Sequence, residues 1–158
     1  MNAASSAMLV VGLDGSASAE HALTWAMTFA YRNRIGVHAV AVSTPMPASP
    51  FLSFPAPPEE LDELMTRGQA RMLDSTVERA TQEGQPVEVH KSVAHGNAGP
   101  VLCALAAGAP ALVLGSRGYR PALSAVLGSV SAYCVRHASC PVVVVPPAAA
   151  IAPESSVA

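Results

Sequence analysis

A chain of 158 residues is long enough for one domain with a single substantial core. Its composition, 51% hydrophobic but only 4% aromatic, assigns that core to Val, Ala, Leu and Met. Charged residues make up 13% and the formal net charge is −2, with no basic run and no aromatic RNA-binding stretch, which excludes nucleic acid as a partner.

The opening MNAASSAM has neither the basic nor the apolar region of an export signal. No window reaches the ~20 apolar residues of a membrane helix, so a cytoplasmic protein is expected. Cys103, Cys134 and Cys140 are odd in number and form no CxxC, so the expectation is small buried hydrophobes rather than disulfides or structural zinc. Lysine occurs once, as Lys91, against eight arginines; this Ala/Arg-rich bias fits a GC-rich bacterial genome.

In chain order, residues 1–7 read as a flexible start. Met8–Asp14 (MLVVGLD) is a continuous apolar run ending in an acid, the pattern of a strand buried on both faces. Ser16 and Ser18 offer N-caps for a helix whose apolar residues recur at Ala22, Leu23, Ala26, Met27 and Ala30. Gly36–Ser43 (GVHAVAVS) is a second strand, completing a β–α–β unit. Thr44–Pro58 holds six prolines and no period; a connection of that length reads as a loop of the lid or binding type. Pro58 then suits the first turn of a helix over Glu59–Glu83, with Leu61, Leu64, Met65, Met72, Val77 and Ala80 as its inner stripe.

Pro86–Gly96 alternates Val with polar residues and reads as a more exposed strand. Asn97–Ala109 is a short helix with Pro100 near its start, and Ala111–Ser116 an apolar fourth strand. A helix over Ser129–His137 and a proline-fenced strand in Pro141–Pro147 follow, then an Ala/Pro/Ser tail over 148–158 that is expected to be disordered. The alternation predicts a three-layer α/β/α domain over residues 8–147, with a parallel five-stranded sheet. Ligands of such sheets bind beyond the carboxyl ends of the strands, which places Asp14, Val42 and Gly115 at one crevice.

The stretch from Gly115 to Ser131 (GSRGYRPALSAVLGSVS) is where chemistry is legible. Gly115 and Gly118 flank Ser116–Arg117 where the fourth strand stops. Glycine there permits positive φ and close approach of backbone amides to a ligand. Gly128–Ser129 opens the last helix, whose first amides are free to hold an anion, and Ser129 and Ser131 add hydroxyl donors. Two amide clusters separated by a loop could grip one polyphosphate. Alternatively each glycine is a turn residue and Ser129 an N-cap.

The spacing Gly115-x2-Gly118-x9-Gly128-Ser129 resembles the nucleotide signature of the ATP-binding branch of the universal stress protein family. DGS after the first strand, VLGSRG after the fourth and LGSVSAYCVRHASCPVVVVP at the end add to it, so the resemblance covers nearly the whole chain. It implies a Rossmann-like fold of the adenine nucleotide alpha hydrolase type, and a homodimer pairing through Val142 to Val145. It also implies ATP with Mg²⁺. By position, Asp14 would contact the adenosine, Gly12 and Leu13 would line that end, and Val42 would offer backbone groups to adenine. Gly115, Gly118, Gly128, Ser129 and Ser131 would hold the ribose–phosphate chain, and Leu114 and Val130 would also belong to the binding site. Arg117 stands inside the glycine turn, either over a phosphate or in solvent. Pro110 departs from an often acidic position, and the proline loop at 44–58 varies among relatives.

Other chemistries fit less well. The chain has no Gly-Lys for a Walker loop, no GxGxxG, no G-x-S-x-G elbow and no cluster of acids for a phosphoacceptor. His21 and His137 fall in helices. His95, beside Gly96 at a strand end, is the one histidine expected near the crevice, as pocket wall. No general base stands out, so the expectation is a nucleotide-binding regulatory dimer with at most slow hydrolysis. A nucleotide-free dimeric interaction module and a weak adenine-nucleotide hydrolase are the alternatives.

Overall fold

The structure, a computed structural model, describes residues 7–46, 57–117 and 127–147. Gly118, most of the proline loop and both terminal segments, residues 1–6 and 148–158, lie outside them. Among the described residues, five strands alternate with four helices: β1 (Met8–Leu13), α1 (Ala17–Asn33), β2 (Gly36–Ser43), α2 (Pro58–Glu83), β3 (Val89–His95), α3 (Ala98–Leu105), β4 (Leu112–Gly115), α4 (Ser129–His137) and β5 (Val142–Val145). All strand pairs are parallel and the order is β3-β2-β1-β4-β5. The chain builds outward from β1 to β3, then returns to place β4 on the other side of β1. The switch point is therefore the β1–β4 seam, where diverging connections leave a crevice.

The period of two sorts the strand residues between two helical layers. Leu9, Val11 and Leu13 meet Leu23, Met27 and Leu73 in one apolar cluster, beneath α1 and α2. Val10, Val40, Leu112 and Leu114 meet Leu102 and Cys134 in the other, beneath α3 and α4. Both layers are aliphatic, as the composition requires. Cys134 is fully buried and Cys103 and Cys140 are half-buried at the rim of the second cluster.

The element ends follow local chemistry. Ser16 caps α1, its hydroxyl accepting from Ala19 N at 3.2 Å. Pro58 occupies the first turn of α2, where a missing N–H is harmless. α3 stops at Leu105 rather than running to Ala109, and Gly108 follows at φ +80°. The third strand begins at Val89 rather than Pro86.

The inner stripe expected for α2 fails at Leu64, while Leu61 and Met65 are only half-buried. Leu64 is 66% exposed, and the buried residues are Leu73, Thr76 and Val77. A helix of 26 residues is about 39 Å long, whereas an eight-residue strand such as β2 spans about 26 Å. Only the second half of α2 lies over the sheet, and the first half passes beyond its carboxyl edge.

Candidate functional site

At that carboxyl edge, over the β1–β4 seam, lies a cavity of about 630 Å³. Gly12, Leu13 and Asp14 line it from the end of β1, and Val42 from the end of β2. Leu114, Gly115 and Arg117 enter from β4 and its exit, and Gly128, Ser129, Val130 and Ser131 from the start of α4. The residues singled out in the sequence thus meet in one place, with Gly118 outside the described residues. His95 is not among the lining residues: it is exposed at the end of β3, the outer strand on that side.

The anion-accepting end is built by α4. Gly128 is its N-cap, in extended conformation at φ −67° and ψ 164°, and the first helical bond runs from Ala132 N to Gly128 O at 2.9 Å. The amides of residues 129–131 therefore have no acceptor within the helix, and they sit at its positive dipole end. Gly128 N itself donates to Ser116 O at 2.8 Å, and Ser116 N to Val145 O at 2.9 Å. Two backbone bonds thus pin the β4 exit to both the start of α4 and the end of β5.

Two expectations need correction here. Gly115 does not adopt a positive φ; its glycine is required by packing. A Cβ there would lie 2.6 Å from Ser18 Oγ, 2.7 Å from Ser18 C and 2.8 Å from Ala19 N. The end of β4 thus presses directly on the backbone of α1. Ser131 is not a spare hydroxyl donor either. It is buried, and its Oγ donates to Gly115 O at 2.6 Å, tying α4 to β4. The exposed Ser129 remains for a ligand.

The opposite end is apolar with a polar lip. Gly12 forms its floor, where a Cβ would come within 2.7 Å of Leu114 Cδ2 and 2.9 Å of Leu102 Cδ1. Asp14 is exposed, and its Oδ1 accepts from Ser16 N at 2.9 Å, which orients the carboxylate at the mouth. Ser43 O faces β3, accepting from Gly96 N at 3.0 Å. Backbone groups alternate along a strand, so those of Val42 face the β1 side, where pairing has already ended at Leu13↔Ala41.

Six further lining residues were not anticipated: Ala19, Val40, Gln69, Ala98, Leu102 and Leu127. Leu102 follows Ala98 by one turn of α3, so helical spacing alone would have paired them. Gln69 enters from the overhanging half of α2, which no local pattern announces. Among the described lining residues the ionisable side chains are Asp14 and Arg117. No group of three or more metal-ligating side chains occurs among the described residues. A magnesium ion here would be held by phosphate oxygens and water.

Comparisons with known proteins agree with the fold. Residues 8–146 match the profile of the Universal stress protein family. The chain is 33% identical over 143 residues to Universal stress protein Rv2623 of Mycobacterium tuberculosis, covering 89% of this chain and 48% of that protein. It spans about half the length of the curated relatives it matches. Among solved structures, a universal stress protein in complex with cAMP is similar with a TM-score of 0.67 at 24% identity, over 91% of this chain and 99% of that one. A universal stress protein family protein from Arabidopsis thaliana, At3g01520 with AMP bound, gives a TM-score of 0.62 at 24% identity, over 94% and 97%.

Proposed function

The chain belongs to the universal stress protein family, and from that premise we propose that its cavity binds an adenine nucleotide, ATP with Mg²⁺, as the signal of a regulatory homodimer. The observation that carries this reading is the polarity of the cavity. Free amides of α4 and Ser129 line one side, Leu13 and Val42 line the β1–β2 side, and Leu102 and Leu114 close the floor beneath Gly12. A polyphosphate is stabilised by a helix N-terminus, and a purine by apolar walls with a few polar groups. Structures of family members with cAMP and with AMP support the same ligand class.

In this reading, the residues 129–131 amides and Ser129 hold the phosphates, Arg117 neutralises one of them, and Asp14 and the Val42 backbone orient the adenosine. Magnesium, when bound, screens phosphate charge. Hydrolysis is slow, because the described lining offers no histidine or paired acids to activate water. β5 is an edge strand whose first three valines are half-buried, and a second copy pairing along Val142–Val145 would cover it.

A thermal melt with and without excess Mg-ATP tests the reading. Ligand at ~100 times its dissociation constant stabilises the fold by about 2.7 kcal/mol, a shift of several degrees. Gly128→Val is the paired control. The extended φ and ψ of Gly128 are open to valine, so the variant melts normally without ligand and loses the ATP shift. No shift in the wild type at millimolar ATP would replace this reading with a nucleotide-free interaction module.

A further inference from the structure

We infer that Gln69 is the specificity residue of this site, its carboxamide reading the donor–acceptor edge of the adenine base. The inference rests on the nucleotide reading above and adds a residue that the motifs do not assign.

Three observations converge on Gln69. First, it reaches the cavity from α2, in the helical layer and at the end of the sheet opposite to α4. α2 packs over β2 and β3, whereas α4 follows β4. A nucleotide anchored by its phosphates on α4 therefore extends its base toward α2 and Val42. Second, the helix position of Gln69 is fixed. One turn further along α2, Met72 lies against Gly15, its Cγ 3.3 Å from where a Cβ would stand, and Leu73 and Thr76 are buried beyond it. This fixes the rotation of α2, and residues three and four apart share a face. Third, Gln69 is the one carboxamide in the described lining, and it makes no hydrogen bond among the described residues.

The chemistry then selects the base. A carboxamide offers one acceptor and two donors in a plane. Adenine presents an amino donor beside a ring-nitrogen acceptor, and glutamine pairs with both at once on the N6/N7 edge. Hypoxanthine carries a carbonyl oxygen where adenine carries the amino group, so its N7 edge has two acceptors and breaks the match. Sites that hydrogen-bond a substrate group reject analogues lacking it, because buried partners are then left unpaired.

Titration calorimetry of wild type and Gln69→Leu with Mg-ATP, Mg-ITP and inorganic tripolyphosphate tests this. The wild type is expected to favour ATP over ITP by about tenfold. In Gln69→Leu, ATP affinity falls about tenfold and the ATP/ITP ratio approaches one, while tripolyphosphate binding stays the same. Leucine is a good helix former, so a normal melt is expected. Unchanged ATP affinity and an unchanged ATP/ITP ratio in the variant would overturn the role of Gln69 while leaving nucleotide binding intact. A wild type that binds neither ATP nor ITP would overturn the nucleotide reading, and this inference with it.

Discussion

The two edges of the sheet are built from the same strands yet differ in chemistry. The carboxyl edge holds the 630 Å³ cavity. The amino edge holds a hollow of about 690 Å³ lined by Met8, Val10, His38, Glu88 and the 107–110 turn after α3. The volumes are similar, so size does not distinguish them. At the carboxyl edge, β1 and β4 exit into connections that diverge, a helix N-terminus points inward, and glycines bring backbone close to backbone. At the amino edge, the chain arrives from helix C-termini, and what it presents are carbonyl ends, a histidine pair and Pro110. With every strand parallel, the connecting helices share one direction, so their positive N-terminal ends gather at the carboxyl edge and favour an anion there alone.

The largest effect expected from this contrast belongs to Gly115. A valine there collides with the α1 backbone at Ser18 and Ala19, which cannot rotate away as a side chain would. Overpacking of this kind costs about 3 kcal/mol, roughly a 10 °C fall in Tm. A Gly115→Val protein melting within two or three degrees of wild type would mean that β4 and α1 are not so tightly apposed. Ser131→Ala is milder. It removes the 2.6 Å bond to Gly115 O and costs about 1 kcal/mol, read as a shift in the urea midpoint. If Ser131 served the ligand alone, that midpoint would not move.

The smallest effect lies at the amino edge and depends on pH. His38 is half-buried, its Nε2 is 2.7 Å from Ser92 Oγ, and its ring centroid lies 4.9 Å from that of His90. Burial, and then the neighbouring His90 charge, lower its pKa from 6.5. The folded state therefore takes up this proton less readily than the unfolded chain. Stability from neutral His38 is present above the unfolded pKa and is lost as pH falls through the folded one. Urea midpoints measured from about pH 7.5 down to pH 5 should fall less in His38→Gln than in wild type. Parallel curves would remove His38 from the acid sensitivity.

These tests also mark what the sequence could reveal. The layered α/β fold was legible because apolar runs and caps are local signals: Val10 through Leu13 read as buried, and Ser16 as a cap, without any tertiary information. The cavity residues on β1, β4 and α4 were legible because strand ends and helix starts follow from those elements. Gly115 was found but misread, since a positive φ and a close approach both call for glycine, and only the packing of Ser18 distinguishes them. Leu64 and Gln69 were misplaced or missed for one reason. Helical period assigns a face, but not how far a helix overhangs the sheet.

The carbonyl of Val145 has a consequence beyond binding. It accepts from Ser116 N and also from Ser18 Oγ, the latter at 3.3 Å. A four-residue outer strand would ordinarily fray early, as edges with few partners do. Here its last residue cannot release without freeing the β4 exit and the first turn of α1 together. β5 and the rim of the cavity thus open as one cooperative unit, and slow amide exchange at Ser116 would be its signature.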